Sequence, residues 1–460
     1  MSKLIADKKF YKMVLAIAIP IMIQNGITNF VNLLDNIMVG QIGTAPMSGV
    51  AIVNQIMFVF NLCIFGACAG AGIFTAQYFG LGDMSGVRDT TRLKIIICAV
   101  MIVVGTIVMA VWNEELISLF LSENDDPQLV ALTLKNAKTY LYISLVCMIP
   151  MALVQVYSST LRETGETIMP MKAGAIAVVF NLVLNYLLIF DHFGLKGLGV
   201  AGAAIATLVA RIVEATIIIY WTHKNKQKNP YAEGMFKSLN VSPALTKNVL
   251  KKGIPLVLNE TLWGLGMTTL LQCYSVRGLN VVAAMNISSV IFNVFSIVFI
   301  ALGDSIAIIV GQLLGKGKME EAKDTDNKMI FFSTAICFVI GALLILVAPL
   351  FPAIYKTEPE VREMATIFIK IIGFCLPIHA FLHAAYFTIR SGGKTLLTFL
   401  YDCVYMWFVT VVLAYCLSRF TTINIVHIYF IVQISDLIKV FIGYILLKKN
   451  IWLNNIVNDI

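Results

Sequence analysis

Charged residues are scarce in this chain. Only 13% of its 460 residues are Asp, Glu, Lys or Arg, while 59% are hydrophobic. About a quarter of the residues in an ordinary soluble domain are charged. So little charge, set among long apolar runs, excludes an ordinary soluble protein and indicates one that crosses a membrane several times.

Cysteine pairs and nucleotide-binding loops are also missing. None of the nine cysteines belongs to a Cys-x-x-Cys pair, and all lie in apolar runs, as small core residues do. Gly393-Lys394-Thr395 resembles the end of a phosphate-binding loop, but Thr388 stands where that loop requires its first glycine. We interpret these residues as a tight turn between two helices, and we expect no cofactor.

Twelve apolar runs have the length of a membrane-spanning helix, for which about 20 apolar residues suffice. They lie near residues 13–38, 47–76, 93–112, 136–158, 168–190, 197–222, 250–276, 281–314, 328–350, 366–388, 395–417 and 424–447. The runs are continuous, whereas the strands of a membrane barrel alternate over about ten residues. The sequence therefore predicts an all-α polytopic membrane protein with twelve transmembrane helices.

Lys and Arg residues concentrate in every second loop, which accounts for the net charge of +8. The basic segments are the N-terminus, residues 88–94, 224–252 and 316–328, and the end near 448–449. Residues 39–46 contain no Lys or Arg, and the loop 113–135 is acidic. Because basic loops stay in the cytoplasm, both termini are predicted to be cytoplasmic. Nucleic-acid binding is not needed to explain the charge, and none is expected.

The second half of the chain repeats features of the first. Matching residues lie 235 positions apart (255 − 20): Pro20 and Pro255, Gly43 and Gly278, Gln77 and Gln312. We expect an N-lobe of six helices at residues 1–222, a polar, basic linker at 223–249 and a C-lobe of six helices at 250–460. A duplicated apolar half is typical of secondary transporters, and an even number of helices per half gives both halves the same orientation.

Some ionisable residues inside the predicted helices have a partner nearby in sequence. Arg211 with Glu214, and Asp436 with Lys439, are three residues apart, so each pair is expected to neutralise itself on one helix face. Asp402 lies only eight residues past the basic turn before the eleventh helix, and we expect it to reach the cytoplasmic surface.

Asp35, Glu260 and Asp304 have no such partner nearby in sequence. A carboxylate at the centre of a bilayer costs at least about 2.5 kcal/mol and is usually retained for function. In a water-filled cavity it can bind H⁺, Na⁺ or an organic cation, and competition for one charge is the simplest chemistry of exchange. The alternative is a protonated acid that is hydrogen-bonded to a neighbouring helix.

Two histidines stand on one face of the tenth helix. His379 and His383 are four residues apart, with Tyr386 about one turn further on. The spacing suits a metal site or a proton relay. Because a third ligand is missing nearby, we favour packing or the lining of a cavity.

Together these features resemble the multidrug and toxic compound extrusion (MATE) family. The resemblance is carried by the twelve helices in two halves, by Leu33-Leu34-Asp35-Asn36-Ile37-Met38-Val39-Gly40, and by Gly253-Ile254-Pro255 ahead of Glu260. It covers nearly the whole chain and implies a MATE-like fold of two repeat-related six-helix bundles. It also implies efflux of cationic amphipathic compounds in exchange for Na⁺ or H⁺, across a bacterial or archaeal inner membrane.

The resemblance implies site residues as well. Asp35 is the coupling acid of the N-lobe, surrounded by Asn181, Asn185 and Thr207, and Glu260 is the acid of the C-lobe. Some family members carry an acid at the position of Asn185, and others carry one on the tenth helix, where this chain has none between residues 370 and 390. The ion and the coupling lobe therefore stay open, and no metal is expected beyond Na⁺ at one of the two acids. The predicted substrate cavity contains Gln24, Asn25, Asp304, His379, His383 and Tyr386.

We therefore expect a monomeric antiporter in the lipid bilayer that exports small organic cations by alternating access. We do not expect an enzyme, because no cluster of catalytic polar groups stands out in the sequence. The alternative function is a flippase for a lipid-linked saccharide precursor. A pyrophosphate head group calls for unpaired Arg or Lys residues within the helices, whereas the acids here are the residues without a nearby opposite charge.

Overall fold

The computed structural model describes residues 4–121, 126–190, 197–355 and 357–458. Part of the acidic loop predicted at 113–135 and the first residues of the basic N-terminus lie outside these ranges. Twelve long helices, named α1 to α12 in chain order, follow one another through the described residues. They are Lys8–Gly40, Thr44–Leu81, Met84–Val111, Pro127–Glu163, Ile168–Ile189, Val200–Lys224, Pro243–Ser275, Leu279–Gly315, Met319–Val347, Pro359–Ser391, Thr395–Phe420 and Ile425–Lys448.

The predicted all-α membrane fold is confirmed. Eleven of these helices are long and apolar enough, among the residues described, to cross a membrane. The other one, α7, has 33 residues and carries Asn259 and Glu260 in its middle. The basic segment 88–94 was predicted as a loop but forms the start of α3, where Arg92 and Lys94 are buried. The prediction was wrong because hydropathy detects the apolar part of a helix, whereas the backbone continues through its polar end.

Two pairs of glycines explain why turns repeat between the halves. Gly43 and Gly278, which precede α2 and α8, have φ values of 126° and 117°. Gly165 and Gly393, which precede α5 and α11, have φ values of 87° and 72°. Only glycine adopts positive φ without a steric penalty, so each residue allows a short turn between two helices. Gly393-Lys394-Thr395 is such a turn, and α11 begins at Thr395.

The eleventh helix is irregular. It is α-helical at Thr395–Phe399 and Val412–Phe420, with wider π-helical turns at Leu400–Val404 and Met406–Val411. π-Helical turns are rare, and they occur frequently at functional sites. The first of them carries Asp402.

The chain folds into two compact units. The N-terminal unit contains residues 23–75 and 84–247, and the C-terminal unit contains residues up to Met22, Ala76–Asp83 and the chain from Asn248 on. α1 and α2 therefore each contribute to both units. In the N-terminal unit α6 packs against α4 and α5, and in the C-terminal unit α10 packs against α8, α9 and α12. The division into repeat-related lobes at 1–222 and 250–460 stays a prediction.

The segment between α6 and α7 packs against α3. Arg92 donates hydrogen bonds to the backbone oxygens of Gly234 (2.7 Å) and Met235 (2.8 Å), and Arg88 donates to that of Tyr231 (3.1 Å). Tyr231 and Met235 are buried. The basic residues of α3 thus satisfy backbone groups of this segment inside the N-terminal unit.

The chain after α12 ties together helix ends of the C-terminal unit. Trp452 is 1% exposed, and a Cβ atom added at Gly392 would lie 1.8 Å from its carbonyl oxygen. Asn455 donates to the backbone oxygens of Leu314 and Gly315 at the end of α8. The side chain of Gln77 donates to the backbone oxygens of Ser391 and Asn454 and accepts from the amide of Ile456. Residues 450–458, which we call the C-terminal tail, therefore join α2, α8 and α10.

We predict that Trp452→Ala lowers the free energy of unfolding by roughly 3 kcal/mol, because it removes a fully buried aromatic side chain and leaves a cavity. Thermal unfolding of the purified protein measures the effect. Trp112→Ala is the matched control, since Trp112 is 50% exposed and should change stability little. Equal melting temperatures for the two variants would show that the tail does not stabilise the fold.

Candidate functional site

The first polar cluster surrounds Asp35 in the N-terminal unit. Asn185 donates a hydrogen bond from Nδ2 to Asp35 Oδ1 (2.5 Å), and the same amide group donates to Asn181 Oδ1 (3.1 Å). Asn181 in turn donates to Thr207 Oγ1 (3.4 Å). Asn181 and Asn185 are four residues apart on α5, so they share one helix face. Asp35 and the three residues predicted around it therefore form one hydrogen-bonded chain.

Two residues that the sequence prediction did not include also belong to this cluster. Tyr140 of α4 is 8% exposed and is hydrogen-bonded to the side chain of Thr207. Arg211 lies one turn after Thr207 on α6 and interacts electrostatically with Asp35. The predicted pair is confirmed, since Arg211 Nη1 lies 2.7 Å from Glu214 Oε2. The spacing of Thr207 and Arg211, four residues apart and so on one helix face, could have linked the pair to the acid.

Asn185 has a buried oxygen that lacks a partner. Its Oδ1 atom receives no hydrogen bond from any residue that the structure describes. Leaving a buried acceptor unsatisfied costs about 1–3 kcal/mol, so a bound cation or water would stabilise the cluster. With Asp35, Asn181 and Thr207, this atom makes the cluster rich in oxygen, which hard cations prefer as a ligand.

Gln24 and Asn25 follow Pro20 on α1. Gln24 is buried, and its Oε1 accepts a hydrogen bond of 2.5 Å from Arg162 Nη2 at the end of α4. Asn25 is half-buried. Both belong to the N-terminal unit, whereas the other residues predicted for a substrate cavity belong to the C-terminal unit. Their common role in one cavity stays a prediction.

The second polar cluster is built around Glu260 in the C-terminal unit. Tyr386 donates its hydroxyl proton to Glu260 Oε1 (3.0 Å). Asn259 Nδ2 donates to Tyr386 Oη (3.3 Å) and to Asp402 Oδ2 (3.2 Å). Lys439 Nζ lies 2.6 Å from Asp402 Oδ1. Hydrogen bonds thus link α7, α10, α11 and α12 in one path, from Glu260 to Lys439.

Two predictions about this region were wrong. Asp402 does not reach the surface as a solvated residue, because its side chain is only 19% exposed and pairs with Lys439. Lys439 does not neutralise Asp436 on its own helix face, as the three-residue spacing suggested. The spacing permits that contact, but Lys439 Nζ lies against the carboxylate of Asp402 on α11 instead. Asp436 Oδ2 instead lies 3.9 Å from His379 Nδ1.

The histidines and Asp304 lie around the second cluster. His383 packs over the ring of Phe299 at 4.7 Å between ring centroids, and His379 lies edge-on to Phe292 at 5.7 Å. Asp304 of α8 interacts electrostatically with Glu260. Within the described part of the chain, His, Cys, Asp and Glu do not gather in any group of three that could hold a metal ion. The two histidines pack against aromatic rings next to the second polar cluster.

Asn259 repeats the feature found at Asn185. Its Oδ1 atom is buried and accepts no hydrogen bond from the residues described, although its Nδ2 makes two. Each polar cluster thus combines an acid with an asparagine whose oxygen is left for a further donor or cation.

Comparison with known proteins identifies the family. The MatE family model matches residues 20–187 and 255–416, two stretches whose starts are 235 positions apart (255 − 20), as Pro20 and Pro255 are. The probable multidrug resistance protein NorM of Thermotoga maritima is 26% identical over 437 residues, which cover 93% of this chain and 89% of that protein. The probable multidrug resistance protein YoeA of Bacillus subtilis is 21% identical, with 89% and 88% covered.

Solved structures share the fold. A crystal structure of MATE in the bent conformation gives a TM-score of 0.85 at 20% identity and covers 96% of this chain and 95% of that one. An outward-facing multidrug resistance MATE family transporter of the MOP superfamily gives 0.84 at 20% identity, with 97% and 96% covered. Because the family model spans well over half of the chain, in both of its halves, the chain belongs to the MatE family of membrane transporters.

Proposed function

We propose that this protein is a secondary active antiporter that exports cationic amphipathic compounds in exchange for Na⁺ or H⁺. The observation that carries the proposal is the environment of Asp35. Its hydrogen-bond donor is the neutral amide of Asn185, and the nearby Arg211 is already paired with Glu214. The carboxylate thus keeps its capacity to bind a cation. The relatives named as probable multidrug resistance proteins support the substrate class.

Exchange follows from the chemistry of one carboxylate. A proton, a sodium ion and an organic ammonium all neutralise the same charge, so binding of one weakens binding of the others. If the acid is wetted from each side of the membrane in turn, inward flow of the ion drives the organic cation outward. One monovalent ion exchanged for one monovalent organic cation moves no net charge, so the concentration gradient of the ion drives the exchange. Each tenfold ion gradient supplies about 1.4 kcal/mol and supports about tenfold accumulation of the organic cation.

The oxygen atoms around Asp35 are suited to Na⁺ as well as to H⁺. The carboxylate, the amide oxygens of Asn181 and Asn185 and the hydroxyl of Thr207 are all ligands that hard cations prefer. Glu260 has a comparable environment in the C-terminal unit, with the Tyr386 hydroxyl and the unsatisfied oxygen of Asn259. We therefore include both acids in the proposal, and the flippase is left as the alternative in which neither ion gradient drives transport.

We predict that Asp35→Asn abolishes ion-driven efflux, because the amide keeps the size of the side chain but cannot bind a cation by charge. Ethidium efflux from liposomes, driven in turn by an imposed Na⁺ gradient and by an imposed pH gradient, measures the loss and identifies the ion. Glu115→Gln is the matched control, since Glu115 is exposed on the short helix Asn113–Ser118. Wild-type efflux by the Asp35→Asn variant, folded to the same melting temperature, would refute the role of this acid.

We predict that Asn185→Asp lowers the ion concentration for half-maximal efflux by about tenfold or more. The change places a second carboxylate beside Asp35, and a like charge at this distance favours uptake of any neutralising cation. It also removes the amide donor that stabilises the empty carboxylate.

The ion dependence of transport rates gives this concentration, with Asn240→Asp on the exposed segment before α7 as the control. An unchanged or higher half-maximal concentration in Asn185→Asp would show that Asn185 does not contribute to the ion site.

A further inference from the structure

The ammonium group of Lys439 is held by the second polar cluster. Its Nζ atom lies 2.6 Å from Asp402 Oδ1, and the two side chains are 11% and 19% exposed. The rings of Tyr401 and Tyr405 lie 5.1 and 5.9 Å from the same Nζ atom. Aromatic faces attract a nearby ammonium group, and proteins use such faces to recognise ammonium ligands.

Asp402 has both of its oxygens occupied. Lys439 takes Oδ1, and the neutral amide of Asn259 donates to Oδ2. Glu260 differs, because it accepts a hydrogen bond from the uncharged hydroxyl of Tyr386 and interacts electrostatically with Arg390. Asp402 is thus in direct contact with a cation that belongs to the protein.

Other acids surround this position. Asp402 interacts electrostatically with Glu260 and with Asp436, and Glu260 interacts with Asp304. Without the charge of Lys439, the mutual repulsion of these acids would be relieved by the uptake of an external cation. The wider π-helical turn at Leu400–Val404 contains Asp402 together with the Tyr401 ring that faces the ammonium group.

We propose that Lys439 is a tethered cation that fills a second monovalent-cation site formed by Asp402, and so excludes Asp402 from ion exchange. The lysine then sets how many ions the C-terminal unit binds, because Glu260 stays exchangeable while Asp402 does not. The effect of Lys439 on transport rests on the proposed antiport, whereas the number of cations bound can be measured without transport.

The test counts cations bound to the purified protein at equilibrium, with radiolabelled Na⁺ and methylammonium as the probes. Lys439→Met keeps most of the apolar stem but removes the ammonium group. We expect this variant to bind one more monovalent cation per chain than the wild type. Lys439→Arg keeps the charge and should bind the wild-type number.

The double variant Lys439→Met with Asp402→Asn provides the matched control. It replaces a buried ion pair by neutral groups, a change that proteins often tolerate, and its count should equal that of the wild type. A count in the single variant that stays at the wild-type value would overturn the proposal. A lower count in the double variant than in the wild type would also overturn it, because Asp402 would then bind an ion in the wild type. The double variant therefore tests the proposal even if the single variant does not fold.

The outcome is separable from the antiport itself. Failure of wild-type liposomes to exchange ethidium for either ion would contradict the proposed function but leave the cation counts interpretable. Unchanged counts in all variants, with normal wild-type exchange, would contradict only the role of Lys439.

Discussion

Burial of charge inside a membrane protein is the constraint on which the functional interpretation depends. A carboxylate away from water needs a counter-charge, hydrogen bonds or a proton. The two units meet this need differently. Asp35 is bonded to a neutral amide beside an arginine that has its own acid, whereas Asp402 is paired directly with a lysine. We propose that the first arrangement leaves a charge that an external cation can neutralise and that the second does not.

The duplicated halves show how this difference arises. Arg211 and Glu214 on α6 correspond to Asp436 and Lys439 on α12, both displaced by 225 positions with the signs exchanged (436 − 211). On α6 the arginine stays on its own helix and neutralises Glu214. On α12 the lysine crosses to α11 and neutralises Asp402, and Asp436 lies near His379. One repeated pattern of charges therefore yields an intrahelical pair in one unit and an interhelical pair in the other.

Much of the fold and part of the site could be predicted from the sequence. Hydropathy located the helices, because a helix that crosses a membrane presents about 20 apolar residues to lipid. The repeated glycines identified the turns, since their positive φ is a local property. The neighbours of Asp35 came from a family resemblance, and their spacing of four on α5 is consistent with one helix face.

Other features could not be predicted, because they depend on contacts between different helices. The pairing of Lys439 with Asp402 joins residues 37 positions apart, across a π-helical turn that changes which side chains share a face. The burial of Lys94 likewise depends on Glu163, 2.5 Å away on α4. The C-terminal tail is held by hydrogen bonds to backbone oxygens, and the order of side chains in the sequence does not indicate which backbone oxygens accept them.

We propose that an inorganic ion and an organic cation compete for the same buried negative charge. Fluorescence titration of ethidium binding to the purified protein, at a series of Na⁺ concentrations and of pH values, tests this claim without any transport step. We predict that the apparent Kd for ethidium rises in proportion to the concentration of one of the two ions. An apparent Kd that is independent of both would contradict it.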